Sequence, residues 1–164
     1  MIAKTALSAL VALALLTVPA ADAKPRICGA KNIQGLLINL GKLKPEDAGR
    51  GMKVDLVRCG DVTGDGRADA VFTVSSGGTA GDIRFGVVRA GSEDGLELYR
   101  PAYKVGIARV NSRAFEILQP HYGANDPNCC PSSFRMTRYT WTGSRFKAGQ
   151  TTKLKTAPRR FYKS

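Results

Sequence analysis

From Met52 to Leu154 the sequence is cut into short runs rich in Val, Ile, Thr and aromatic residues, separated by clusters of Gly, Asp, Asn and Ser. That punctuation favours strands joined by tight turns. Strands are expected at Met52–Cys59, at Asp69–Val74, in IRFGVVRAG from Ile83, and in the short run Gly95–Tyr99. A hairpin follows, Lys104–Val110 with Arg113–Leu118, about Asn111-Ser112. Phe134–Trp141 and Arg145–Leu154 then pair through Thr142-Gly143-Ser144. Before the strands, Ile33, Leu36, Leu37 and Leu40 recur at helical spacing, and Gly41 supplies a stop. Lys44 to Gly51 reads as a connecting loop. The expected fold class is α+β: an N-terminal helix followed by an antiparallel-rich sheet of about seven strands, stapled by two disulfides.

The disulfides follow from compartment. Lys4, the apolar run Leu7 to Val18 and the small-x-small site Ala21-Asp22-Ala23 read as a secretory signal peptide over residues 1–23. That run is short for a bilayer span, and no later stretch is long and apolar enough for a transmembrane segment. No Cys stands at the cleavage site, so a soluble exported product, periplasmic or extracellular, is expected rather than a lipid-anchored one. Residues 24–155 form one globular domain by size, with a basic, loosely held tail over 156–164. The mature region contains Cys28, Cys59, Cys129 and Cys130, an even count that predicts two bridges. Two of the three pairings join Cys28 and Cys59 to the adjacent pair; the third bonds Cys28 to Cys59 and closes a ring between neighbours. The favoured expectation is Cys59 with Cys129 or Cys130. Such a bridge closes about seventy residues and stabilises by roughly 4 kcal/mol in the chain-entropy treatment.

The stretch CGDVTGDGRADAVFTV, from Cys59 to Val74, holds the most distinctive chemistry. Asp61, Thr63, Asp65 and Asp69 fall at positions 1, 3, 5 and 9 of a calcium-loop pattern. Gly66 takes the sharp turn at position 6, and Arg67 at position 7 offers its backbone carbonyl. Oxygens two residues apart can converge on one hard cation, so Ca2+ is the expected cofactor. Position 3 is Thr and position 12 is Phe72 rather than the usual Glu, which places the affinity at the weak end, Kd on the order of 10⁻⁴–10⁻³ M. An Asp/Gly turn with no ion is the alternative.

Taken with SSGGTAGD and DPNCCPSSFRMTRYTW, this stretch resembles small exported bacterial proteins of the LppP/LprE family. The similarity covers about a third of the mature chain, and Cys-Cys-Pro-Ser is its most specific element. DVTGDGRAD alone is similar to the calcium loops of FG-GAP repeat proteins, although one copy cannot build a propeller. The family resemblance implies an envelope or secreted domain without a defined activity.

Catalytic signals are sparse. His121 is the single histidine, and no Gly-x-Ser-x-Gly element accompanies the serines. Adjacent cysteines are poorly spaced for one tetrahedral zinc. Hydrolysis by paired acids would fall to the Asp61/Asp65/Asp69 cluster, which an ion explains better. The net charge is +12, and after Ser133 there are nine Lys or Arg and no acid, interleaved with aromatics. A polyanion or anionic envelope component is therefore a candidate partner, with Arg159, Arg160 and Lys163 as contacts. The expected function is a non-catalytic binding or structural domain. The alternatives are a small exported hydrolase using acidic residues, or a cationic polyanion-binding protein.

Overall fold

The computed structural model describes residues 26–92 and 95–162, so the signal-peptide expectation for residues 1–23 lies outside them. After a 3-10 turn at Arg26–Cys28 the chain forms helix α1, Ala30–Asn39, whose Ile33 and Leu37 are buried one turn apart. Its end is a glycine stop of the Schellman type. Gly41 adopts φ 65°, donating its N–H to Ile38 O, while the Lys42 N–H reaches back to Leu37 O. The segment expected as a loop contains a second, short helix, α2 at Pro45–Gly49. Pro45 opens it where no N–H is needed, and Glu46 and Asp47 complement the N-terminal end of the dipole.

Eight strands follow, and they form two antiparallel meanders of four rather than one sheet of about seven. The first sheet holds β1 (Lys53–Gly60), β2 (Asp69–Ser75), β3 (Asp82–Val88) and β4 (Leu96–Pro101) in sequence order. The second holds β5 (Gly106–Asn111), β6 (Ala114–His121), β7 (Ser133–Trp141) and β8 (Phe146–Leu154). The pleat explains the layering. On β2, Ala70, Phe72 and Val74 face α1 together with Ile33, Leu37 and Val54. Val71, on the opposite face, joins Phe85, Val87 and Leu98 against Val105, Ile107, Phe115, Ile117 and Trp141 of the second sheet. A strand buried on both faces needs a layer on each side, and one sheet with one helix supplies only one. The link between the sheets is pinned to β3, with Ala102 N–H bonded to Ile83 O and Val105 N–H to Asp82 O.

The outer face of the second sheet is covered by the C-terminal segment, which is docked rather than loose. Arg159–Phe161 forms a 3-10 turn, and Phe161 is buried against Ala108 and Leu118. Gly106 makes the docking possible: a Cβ there would lie 2.8 Å from Phe161 Cβ. On the same face the buried Glu116 accepts Arg138 Nε and Nη2 at 3.1 and 2.8 Å, and Arg160 Nη2 at 3.1 Å. A carboxylate this deep needs such partners.

The disulfides correct the favoured pairing. Cys28 is bonded to Cys59, and Cys129 to its neighbour Cys130. The reason is the layering. Cys28 precedes α1, and Cys59 packs in the same cluster beneath that helix. Cys129 and Cys130 lie on the exposed loop between β6 and β7, in the other sheet.

Candidate functional site

The β1–β2 loop brings Asp61, Asp65 and Asp69 together, with one carboxylate oxygen of each within 4.8 Å of the others. Gly64 and Gly66 make the tight path possible, at φ 77° and 79°. Gly64 also packs against Arg113 in the β5–β6 turn, so the loop rests on both sheets. Asp69 organises it from below. The residue is fully buried, and its Oδ2 accepts the N–H groups of Val62 and Thr63 at 3.0 Å and the Thr63 hydroxyl at 2.9 Å. Its Oδ1 accepts Ala90 N–H at 3.1 Å, tying the loop to the chain after β3.

The outer two acids close the loop on itself. Asp61 Oδ1 and Oδ2 accept the N–H groups of Gly64 and Gly66. Asp65 Oδ1 accepts Arg67 N–H, and Oδ2 takes Arg89 Nε at 3.2 Å. The Arg67 N–H, joined by the Arg89 guanidinium, holds the Asp65 carboxyl below the usual aspartate range. Arg89 also lies 3.8 Å from Glu97 and over the Trp141 ring, linking the acidic loop to the core between the sheets. Asp69 Oδ2 is filled by its three donors, but Asp69 Oδ1 and the oxygens of Asp61 and Asp65 accept one bond each, so every acid keeps an oxygen with a lone pair for a cation. Of the other two residues expected around an ion, Thr63 directs its hydroxyl at Asp69, and Arg67 takes its place through the backbone N–H to Asp65.

The residues expected to meet a polyanion are divided. Arg159 is exposed, whereas Arg160 is committed to Glu116, and Lys163 lies outside the described residues. The larger pattern is a segregation of charge. Residues 101–164 carry twelve Lys or Arg against two acids, whereas residues 1–100 carry thirteen against eleven. Both acids of the second sheet's half are already engaged. Glu116 is held by its two arginines, and Asp126 accepts the N–H groups of Gly123 and Ser132, which hold its carboxyl low. The two sheets turn this division along the sequence into a division in space, because residues 106–154 form the second sheet.

His121 sits on β6 with its Nε2 3.5 Å from an Arg135 nitrogen, an unsuitable partner for a base that must activate a hydroxyl. Asp82 is the aspartate that burial pushes upward, but its carboxylate accepts the Thr73 hydroxyl, which in turn accepts Leu56 N–H. This is a strand-pinning bond. No helix among the described residues is long and apolar enough to cross a membrane. Comparison with known proteins finds no matching family model, no curated relative and no similar solved structure.

Proposed function

We propose that the protein is an exported, non-catalytic binding domain that presents its second sheet to an anionic polymer of the cell envelope. The observation that carries this reading is the segregation of charge, with twelve cations against two acids in residues 101–164, one of the acids already paired with two of the arginines. Arg135, Lys147, Lys153, Lys155 and Arg159 are all exposed and, among the described residues, have no acidic partner. A layer with a strong excess of one sign attracts a polyanion, whose bound counterions are released, so binding must weaken steeply as salt rises. The test is retention of the intact protein on immobilised polyphosphate over a salt series. Retention at low salt with a steep salt dependence supports the reading, and no binding at low salt removes it.

The convergence of Asp61, Asp65 and Asp69 favours a second role for the other sheet, a structural Ca2+ in the β1–β2 loop. Three carboxylates meeting one arginine leave net negative charge that a divalent ion would offset. At ten times a weak Kd the ion would add about 1.4 kcal/mol. Millimolar calcium should then raise the melting temperature by a few degrees, roughly 3–6 °C. Asp65→Ala should abolish the rise while leaving the fold intact, since Asp65 is exposed and Asp69 still holds the loop. A melting curve indifferent to calcium and to chelator would leave a self-bonded turn.

A further inference from the structure

Beside the paired cysteines lies a cavity of about 270 Å³ lined largely by aromatic residues and prolines. Tyr122, Phe134 and Tyr162 line it with Pro120, Pro131 and Cys129 of the vicinal disulfide. Three separate segments meet there: the β6–β7 loop, the start of β7 and the docked C-terminus. Lys104 lies beneath, its backbone in the left-handed region at φ 46°. Its ammonium is used up internally, donating to Tyr122 Oη at 3.1 Å and to the carbonyl and side-chain oxygens of Asn128 at 2.8 and 3.3 Å. Tyr103 and Tyr122 also donate to Asn128, at 2.9 Å each. The network fixes the loop bearing the disulfide and takes up the one cation among the residues that line the slot. Next to it, through the consecutive residues Pro131 and Ser132, runs a groove of about 490 Å³ lined by Ser133, Leu154, Lys153 and Lys155. Phe134 of the slot and Leu154 of the groove are register partners on β7 and β8, which brings the two hollows to the same end of the second sheet, with Lys153 and Lys155 flanking Leu154.

We infer that this surface binds an acidic glycan, with one sugar ring in the slot and the flanking carboxylates on Lys153, Lys155 and Arg159. The inference rests on the anionic-polymer reading above and names its chemical class. A pyranose ring is puckered and carries C–H groups on both faces, which suits a lining of aromatic residues, prolines and a disulfide. A slot of this size takes a single ring rather than a drug-sized ligand. A nucleic-acid base is flat and would use an open aromatic platform, whereas Tyr122 and Phe134 are only partly exposed at the sides of the slot. Tyr162, 41% exposed, is the wall most available to a ligand.

The experiment compares oligogalacturonate, polyphosphate and oligo(dT) binding to the full-length oxidised protein by calorimetry. Oligogalacturonate should bind most tightly, and Tyr162→Ala should weaken it at least about tenfold while leaving polyphosphate binding within about twofold. Tyr162→Phe, which keeps the ring, should retain the affinity. Lys153→Gln with Lys155→Gln should weaken both ligands and flatten their salt dependence. Saturation transfer between sugar C–H protons and tyrosine ring protons in the unmutated protein supplies a readout independent of any variant's folding. Equal binding of polyphosphate and oligogalacturonate, with Tyr162→Ala without effect, would overturn the glycan while leaving the anionic reading standing. Tighter, Tyr162-dependent binding of oligo(dT) would also overturn it. Failure of all three ligands to bind would remove both readings.

Discussion

Asp69→Ala isolates the group that shapes the acidic loop. The side chain accepts four hydrogen bonds, and its removal leaves the Val62 and Thr63 N–H groups without an acceptor. Val62 is 0% and Thr63 4% exposed, so water cannot take over. Each buried donor left unpaired costs about 1–3 kcal/mol, and bonds to a charged acceptor lie at the upper end. The Thr63 hydroxyl can rotate and Ala90 is only half-buried, so those two contribute less. The expected loss is about 4 kcal/mol, or roughly 10–20 °C in melting temperature for a domain of this size. Asp61→Ala is the control. Its two donors, Gly64 and Gly66, are exposed and can bond to water, so its cost should stay near or below about 1 kcal/mol. Urea unfolding in chelator, followed by the fluorescence of the single buried Trp141, measures both without contribution from an ion. Equal costs for the two variants, within about 1 kcal/mol, would refute the assignment of Asp69 as the buried organiser of the loop.

The disulfides should be unequal. Replacing Cys28 and Cys59 by Ser opens a closure of sequence separation 31 and should cost about 3.5 kcal/mol, whereas replacing Cys129 and Cys130, which close almost no loop, should shift the urea midpoint by less than about 1 kcal/mol. Mapping of unreduced peptides would expose any Cys59 link to the adjacent pair. On the second sheet, Arg138→Ala strips Glu116 of two of its three hydrogen bonds and should cost about 2–3 kcal/mol, more than Glu116→Gln, after which the half-exposed arginines can turn to solvent. The reverse order in denaturant unfolding would contradict a buried carboxylate that depends on its cations. At high pH, burial raises the phenols of Tyr99, Tyr139 and Tyr162, the last to about 12. The unfolded chain therefore releases these protons first, near pH ~10, and stability should fall as pH rises from there toward the folded values. A melting temperature flat across that window, with phenolate absorbance rising at the unperturbed position, would refute it.

Most of the secondary structure was legible because its causes are local. The apolar spacing from Ile33 and the stop at Gly41 produced a helix where one was expected. The runs beginning at Met52, Asp69, Phe134 and Arg145 became strands within a residue or two of their expected ends, and the run from Ile83 stops three residues early, at Val88. The short helix at Pro45–Gly49 was missed, although Pro45 followed by Glu46 and Asp47 is a helix-start signal. The tail was misjudged because its basic composition hides Phe161, whose burial depends on the bare face of Gly106 more than fifty residues away.

The sequence by itself determined the strand-and-turn punctuation, the acid spacing of the β1–β2 loop and the excess of positive charge, since each is a property of neighbours along the chain. Which cysteines pair, which carboxylate is buried and that the cation-rich half forms its own layer were decided by the division into two stacked sheets. Packing a strand on both faces forces that division. It carries Cys59 beneath α1 with Cys28 and leaves the adjacent cysteines on the other layer beside Tyr122 and Tyr162. No local pattern encodes those distances, because they arise only when the two meanders close over a shared core.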